Sequence, residues 1–213
     1  MQVIKTTKIA LLGGTGKAGK FVVDELLRQG IAFNMLVRDP GKVVHNSPLI
    51  EIVTGSARNF TTLQRLLSGC HAVISTLGPT KGDKTINSIA AGYLIKIMQK
   101  LKIKRYVEIA GLGIQTRQDK KGIRTRLISG VIRTLFPGRV KDRQEVYQML
   151  SHTDLDWTIV RCPSIQLTEK KRNLIVSLED SPGTKISAAD LAGFLVHQID
   201  DQQYIRKCPF VAS

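Results

Sequence analysis

Short apolar runs alternate with longer amphipathic stretches along most of this chain. Ile9-Ala10-Leu11-Leu12 is apolar without a break, as a strand buried on both faces requires, and it predicts a first strand over 8–12. Phe21, Val22, Leu26 and Leu27 then recur at helical spacing, predicting a helix over 16–29 that Gly30 ends. The pattern repeats, with strands expected over 33–37, 50–54, 71–76, 105–109 and 156–161. Helices are expected over 61–67, 84–101 and 140–151. Within 124–136, Leu127, Ile128, Val131, Ile132, Leu135 and Phe136 share one face and Arg124, Arg126 and Arg133 lie off it. That is a basic amphipathic helix, stopped by Pro137-Gly138. Residues 115–122 read as a polar loop, and 164–187 as irregular with one short strand over 173–177. Ser187 is placed to cap a helix over 188–198, and 210–212 forms a last strand. Such alternation predicts an α/β fold: a doubly wound, mostly parallel sheet of about six or seven strands with helices on both faces. A single domain over 1–213 is expected, with a small substrate-side lid around 112–138 and 164–187.

The first strand runs into Gly13-Gly14-Thr15-Gly16-Lys17-Ala18-Gly19, just before the first helix. Gly14, Gly16 and Gly19 fit G-x-G-x-x-G, the Rossmann-type phosphate loop. Glycines permit the tight turn and let a pyrophosphate approach the backbone, while free N–H groups and the positive end of the helix dipole face it. The strand-before, helix-after context is what makes a short motif informative. At the end of the second strand stands Val37-Arg38-Asp39-Pro40. An NAD binder offers a carboxylate there, whereas an arginine suits a 2′-phosphate. Arg38 therefore points to NADP over NAD, with Asp39 acting as a turn residue beside Pro40.

Composition changes the picture in one respect. The formal net charge is +15, and residues 96–143 alone hold fourteen Lys/Arg against three Asp/Glu. Such a field favours anionic partners: a phosphorylated cofactor, an acidic and planar small-molecule substrate, or a peripheral anionic surface. Sequence-specific nucleic-acid binding is not expected, since no binding module is legible and aromatics total only 5%. Cys70, Cys162 and Cys208 are odd in number and far apart, which suits free thiols in a reducing, cytoplasmic compartment; no metal site is expected. No apolar run is long enough to span a bilayer, and no signal peptide is expected.

Further segments fall in order: Gly55 with the residues after it, Ser75-Thr76-Leu77-Gly78-Pro79, and Asp156-Trp157-Thr158-Ile159-Val160-Arg161-Cys162-Pro163. With the glycine loop and Val37-Arg38-Asp39-Pro40, the chain resembles the atypical short-chain dehydrogenase/reductases. More closely, it is similar to the NAD(P)H-binding proteins related to biliverdin reductase B and flavin reductase. The resemblance spans nearly the whole chain. It implies a pyrophosphate on Gly13–Gly19, a ribose-phosphate near Arg38 and adenine near Ser56 and Ala57. Nicotinamide is implied between Leu77, Gly78, Pro79, Ala110 and Pro163. Three departures stand out. Gly55-Ser56 replaces the usual Gly-Asp, and Ala110-Gly111 stands where the superfamily supplies a hydroxyl. Lys141 has the spacing of the lysine in the superfamily's Tyr-x-x-x-Lys, with a candidate role at the nicotinamide ribose, but Pro137 occupies the tyrosine position.

These features predict an NADP-dependent oxidoreductase that reduces a conjugated acceptor such as a flavin, quinone or tetrapyrrole, whose chemistry needs no Tyr–Lys proton relay. No catalytic side chain is identified. The alternative is a non-catalytic NADP(H) sensor that binds a protein partner, which the missing catalytic side chains favour.

Overall fold

The computed structural model describes residues 8–78 and 83–213. Five parallel strands follow the predicted runs: β1 (Lys8–Leu12), β2 (Ala32–Val37), β3 (Ile50–Thr54), β4 (Ala72–Ser75) and β5 (Arg105–Gly111). They are joined by α1 (Gly19–Arg28), α2 (Phe60–Leu67) and α3 (Ile86–Leu101). Two consecutive helices, α4 (Ile123–Leu135) and α5 (Pro137–Ser151), lead to β6 (Asp156–Cys162). The remainder comprises β7 (Ser164–Gln166), β8 (Ile175–Ser177), β9 (Lys185–Ser187), α6 (Ala188–His197) and β10 (Phe210–Ala212). The central sheet runs β3-β2-β1-β4-β5-β6-β10-β8, and β7 pairs with β9 in a separate small sheet.

Every pairing in the central sheet is parallel except that of β10 with β8. The sheet has eight strands rather than six or seven because the short β10 and β8 extend one edge. Two three-residue strands, β7 and β9, lie inside the stretch read as irregular; runs that short carry no visible period. The Pro137-Gly138 stop holds for α4, but both residues form the first turn of α5. Proline suits that position because the first helical N–H has no intrahelical partner to lose.

Alternation along the strands builds two cores. Ile9, Leu11, Phe33 and Met35 face α1 and α6, meeting Val22, Leu26, Leu191 and Leu195. Ala10, Leu12, Leu36 and Val73 face the other way, onto Leu63, Leu66, Leu94, Met98 and Leu150 of α2, α3 and α5. One polar residue interrupts this: buried Asn34 donates through Nδ2 to Leu66 O (2.9 Å) and Ser68 O (3.2 Å), satisfying carbonyls at the end of α2. The chain crosses from β3 at one edge to β4 beside β1, so the winding reverses between β1 and β4. The carboxyl ends of those two strands therefore flank a crevice, the usual ligand position of an open α/β sheet.

Candidate functional site

The crevice floor is the loop between β1 and α1. Gly16 N donates to Gly13 O (2.9 Å), closing a tight turn. Gly13 has φ +82°, and a Cβ there would lie 2.7 Å from the Thr76 carbonyl. Gly19 opens α1 against the same turn: a Cβ on it would stand 2.0 Å from Gly13 O. Thr76, just past β4, locks the arrangement by donating from Oγ1 to Leu12 O (3.0 Å). Ala18, at the start of α1, supplies no side-chain cap; Lys20 N donates to Gly16 O (3.1 Å), and the other first-turn N–H groups are left for another acceptor. This cradle, closed to any larger side chain and lined by uncapped N–H groups, fits a dinucleotide pyrophosphate.

On one side of the loop lies a polar cavity of about 470 Å³ over the ends of β2 and β3. Arg38, Lys42, Arg58, Ser56 and Ala57 line it together with Gly13, Thr15 and Gly16. Asp39 is a turn residue, as its neighbours suggest: its Oδ1 accepts from Gly41 N (3.1 Å). Arg58 is held by Asp83 through two bonds of 2.8 and 2.6 Å and by Thr85 Oγ1 (2.8 Å). The Asp83 hydrogen bond pushes the Arg58 pKa up further. Ser56 Oγ accepts from Arg58 N (3.2 Å), so this hydroxyl shapes the loop where the resemblance leads one to expect a carboxylate. Arg38 stands exposed at the rim, and among the described residues the cavity lining has three cations to one carboxylate.

On the other side is a larger cavity, about 640 Å³, over the ends of β4, β5 and β6. Leu77, Ile109, Ala110, Ile114, Ile132, Phe136, Val140 and Ile165 make it largely apolar. Gly16, Thr76, Leu77 and Gly78 line both cavities, so the two are lobes of one cleft. Its far wall is α5, fixed by two charged residues. Arg143 donates to Glu108 Oε1 in β5 and to Leu77 O after β4. Tyr106 donates to the other Glu108 oxygen (2.6 Å). Burial lowers Arg143 to about 10 and raises Tyr106 to about 12. Neighbouring Asp142 accepts from Asn87 N (3.2 Å), Asn87 Nδ2 (2.7 Å) and Ser88 N (2.8 Å), capping α3 from another helix. Cys162 also lines the lobe, but burial raises its thiol to about 12, so it is no thiolate at neutral pH. Among the described residues the lobe's one hydroxyl, Thr76, is engaged with Leu12. Among these residues the lobe thus offers no free hydroxyl and no thiolate, and its lining cations are Lys17, Lys84, Arg139 and Arg143.

The loop after β5 is clamped to the sheet. Asp119 accepts from Thr116 Oγ1 (2.7 Å) and from Arg161 Nη1 (2.6 Å), and Lys121 sits 3.1 Å away. Arg161 is fully buried in β6, stacked 3.5 Å from the centre of the Phe210 ring.

The residues singled out in the sequence fall into three groups. Gly13, Thr15, Gly16, Arg38, Ser56, Ala57, Leu77 and Gly78 line the polar lobe; Lys17, Ala18, Ala110 and Pro163 line the apolar one. Gly14 and Gly19 lie beneath the loop, where Gly14 packs on Met35 and Leu11 and Gly19 on Gly13. Lys141 lines neither lobe: it is exposed in a separate depression beside Gly113, Gln144 and Glu145, on another side of α5. Pro79 lies outside the described residues. Sequence reading missed Lys42, Arg58, Asp142, Arg143 and Glu108. A carboxylate inside the apolar run of β5 was the one visible signal, since a buried charge needs a partner.

Fold and cleft define a Rossmann-type dinucleotide-binding protein. The chain belongs to the NAD(P)H-binding family, whose model matches residues 13–202. A short-chain dehydrogenase/reductase from Veillonella parvula DSM 2008 in complex with NADP is 15% identical, with a TM-score of 0.78 over 97% of this chain and 94% of that one. ChuY, an anaerobillin reductase from Escherichia coli O157:H7, is 16% identical, with a TM-score of 0.80 over 97% of each chain. A Rossmann-fold NAD(P)-binding family protein from Shigella flexneri is 20% identical, with a TM-score of 0.74 over 98% and 94%. At these identities the likeness is one of fold. No helix among the described residues is long and apolar enough to cross a membrane.

Proposed function

We propose that this protein is an NADP-dependent reductase of a conjugated acceptor such as a flavin, quinone or tetrapyrrole, working in a reducing, cytoplasmic compartment. The observation that carries this reading is the two-lobed cleft, cationic at one end, apolar at the other, with the phosphate cradle between. In this reading Gly13–Gly19 and the start of α1 hold the pyrophosphate. Arg38, with Lys42 and Arg58 beside it, receives the 2′-phosphate, and Ser56 and Ala57 border the adenine. Ala110, Leu77, Gly78 and Pro163 border the nicotinamide, with Pro79 assigned there from the motif alone. When bound, the nicotinamide supplies hydride chemistry to whatever lies over it. Lys141, the other ribose candidate, is remote from this lobe, so the contact is assigned to the α5 residues that do line it, Arg139 and Arg143.

The protein's own contribution is orientation and water exclusion. The stretch 112–138, with 164–187, serves as the substrate-side cover, and Ile132 and Phe136 offer flat apolar surface to a planar ring. Arg139 stands 4.8 Å from the Phe136 ring centre, placed to meet an acidic substituent at the ring edge. Among the described residues the lobe lacks a free hydroxyl, so in this reading the proton comes from water, and a conjugated acceptor tolerates this because it delocalises the charge it gains. Neighbours of the same fold include an anaerobillin reductase, ChuY, which supports the acceptor class. The three free, buried cysteines support the reducing compartment.

The test is to mix the protein with NADPH and, in turn, FMN, a water-soluble quinone and biliverdin, following nicotinamide absorbance. Steady turnover with any of these supports the reductase. Tight NADPH binding without turnover across the panel would replace it with the sensor, the reading that the lack of a free hydroxyl otherwise favours.

A further inference from the structure

Helix α4 is built the wrong way round for a helix that faces water. Its fully buried residues are Thr125 and Ser129, and Ser129 Oγ donates to Leu112 O (2.9 Å). Its large apolar residues point out instead. Leu127 is 66% exposed, Val131 57% and Leu135 64%, four residues apart along one ridge that Ile123 begins at 79%. Of the apolar residues in 124–136, Ile132 and Phe136 reach the cleft. A ridge of this kind in water is a cost unless something covers it.

Its surroundings indicate what covers it. From Lys120 to Lys141 the chain carries seven Lys/Arg and no Asp/Glu. On the helix, Arg124 falls on one flank of the ridge and Arg126 on the other, while Arg133, two residues from both Val131 and Leu135, lies on the opposite side beside Gly113 and Pro137. An apolar ridge between two cationic flanks has the amphipathic form of a helix that lies in a membrane interface. We propose that α4 docks this protein on an anionic phospholipid bilayer, with Leu127, Val131 and Leu135 in the headgroup–acyl boundary and the flanking arginines on lipid phosphates. A second copy of the chain fits this patch less well, because like-charged flanks would then face each other. Ile132 and Phe136 follow the ridge into the apolar lobe, so a docked molecule brings the mouth of its cleft to the bilayer surface. The inference stands on α4 itself and does not require the reductase reading.

The experiment is vesicle flotation of the full chain at physiological salt, comparing phosphatidylserine-rich with pure phosphatidylcholine vesicles. The expected result is flotation with the anionic vesicles only. A Leu127→Ser, Val131→Ser, Leu135→Ser variant should bind at least about tenfold more weakly. Each of Arg124→Gln and Arg126→Gln should weaken partition about fivefold. Unchanged thermal unfolding checks that these exposed changes leave the fold intact. Val131→Trp supplies a readout independent of loss: its emission should shift to the blue on adding anionic vesicles, while buried Trp157 gives a constant background. No flotation of the wild-type chain overturns the proposal. So does equal flotation of the triple-serine variant, which would mean diffuse charge attraction alone. A dimer that the triple-serine variant dissolves into monomers would also overturn it, assigning the ridge to a second copy.

Discussion

The two lobes of the cleft are built by different means. The polar lobe rests on backbone: a glycine turn, uncapped helix N–H groups and strand ends set by parallel register. The apolar lobe rests on side chains that reach across the molecule, with Arg143 tying α5 to β5 and to the end of β4. Backbone geometry follows from neighbouring residues, whereas a side-chain brace depends on partners far away in the chain. The first lobe is thus specified locally and the second globally, and each should fail in its own way when damaged.

The largest effect is expected where the apolar lobe is braced. Arg143→Met leaves Glu108 charged and unpaired in the sheet, which should cost about 3–5 kcal/mol of folding stability by denaturant unfolding. A Glu108→Leu, Arg143→Met double variant should recover much of that. If the single variant is as stable as the parent, the brace is not structural and the contrast collapses. Next, Gly19→Ala forces a methyl group into the Gly13 carbonyl. NADPH affinity by calorimetry should fall about a hundredfold or more, through displacement of the cradle. Arg38→Ala should act only at the phosphate end, weakening NADPH by about tenfold or more while leaving NADH nearly unchanged. Equal loss of both would remove Arg38 from the 2′-phosphate.

The smallest effect belongs to α1, the helix of the glycine loop. Glu25 is buried and bonded by exposed Arg28 at 2.9 and 2.6 Å and by Gln29 at 2.7 Å. The Arg28 bonds, foremost, and then Gln29 outweigh burial and lower its carboxyl to about 2, below the ordinary 4.5. Because the folded value is depressed, the stabilisation is complete above about pH 4.5 and fades as pH falls through 2. With Arg28 solvent-screened, the contribution should be about 1 kcal/mol. Glu25→Gln should flatten that acid slope in a pH series of unfolding midpoints and leave the alkaline side unchanged.

The same contrast explains what could be read from the sequence. β1 and β10 fall where the hydrophobic runs do, because strands buried on both faces carry unbroken apolar signatures. The cradle was legible for a similar reason: its glycines are adjacent in the chain. Arg143 was not, since its partners Leu77 and Glu108 lie 66 and 35 residues away. Arg58 and Lys42 look like ordinary surface cations until the sheet brings β2 and β3 side by side. Helix α4 was legible as an amphipathic helix, but its orientation, with small polar residues inward and the leucine ridge outward, was not. Period reveals that a helix has two faces; it does not reveal which one the protein keeps for itself.

Asp142 has a consequence for direction. Three helices, α1, α2 and α3, begin near the carboxyl ends of β1, β3 and β4, and each start carries partial positive charge. Asn59 neutralises its own helix by accepting from Thr62 N (2.8 Å), and Asp142 does the same for α3 from outside. Only α1 keeps its charge exposed. A doubly anionic linker between two nucleosides thus meets one electropositive anchor instead of three, and the cleft reads such a molecule in a single orientation, as a keyed socket admits a plug one way round.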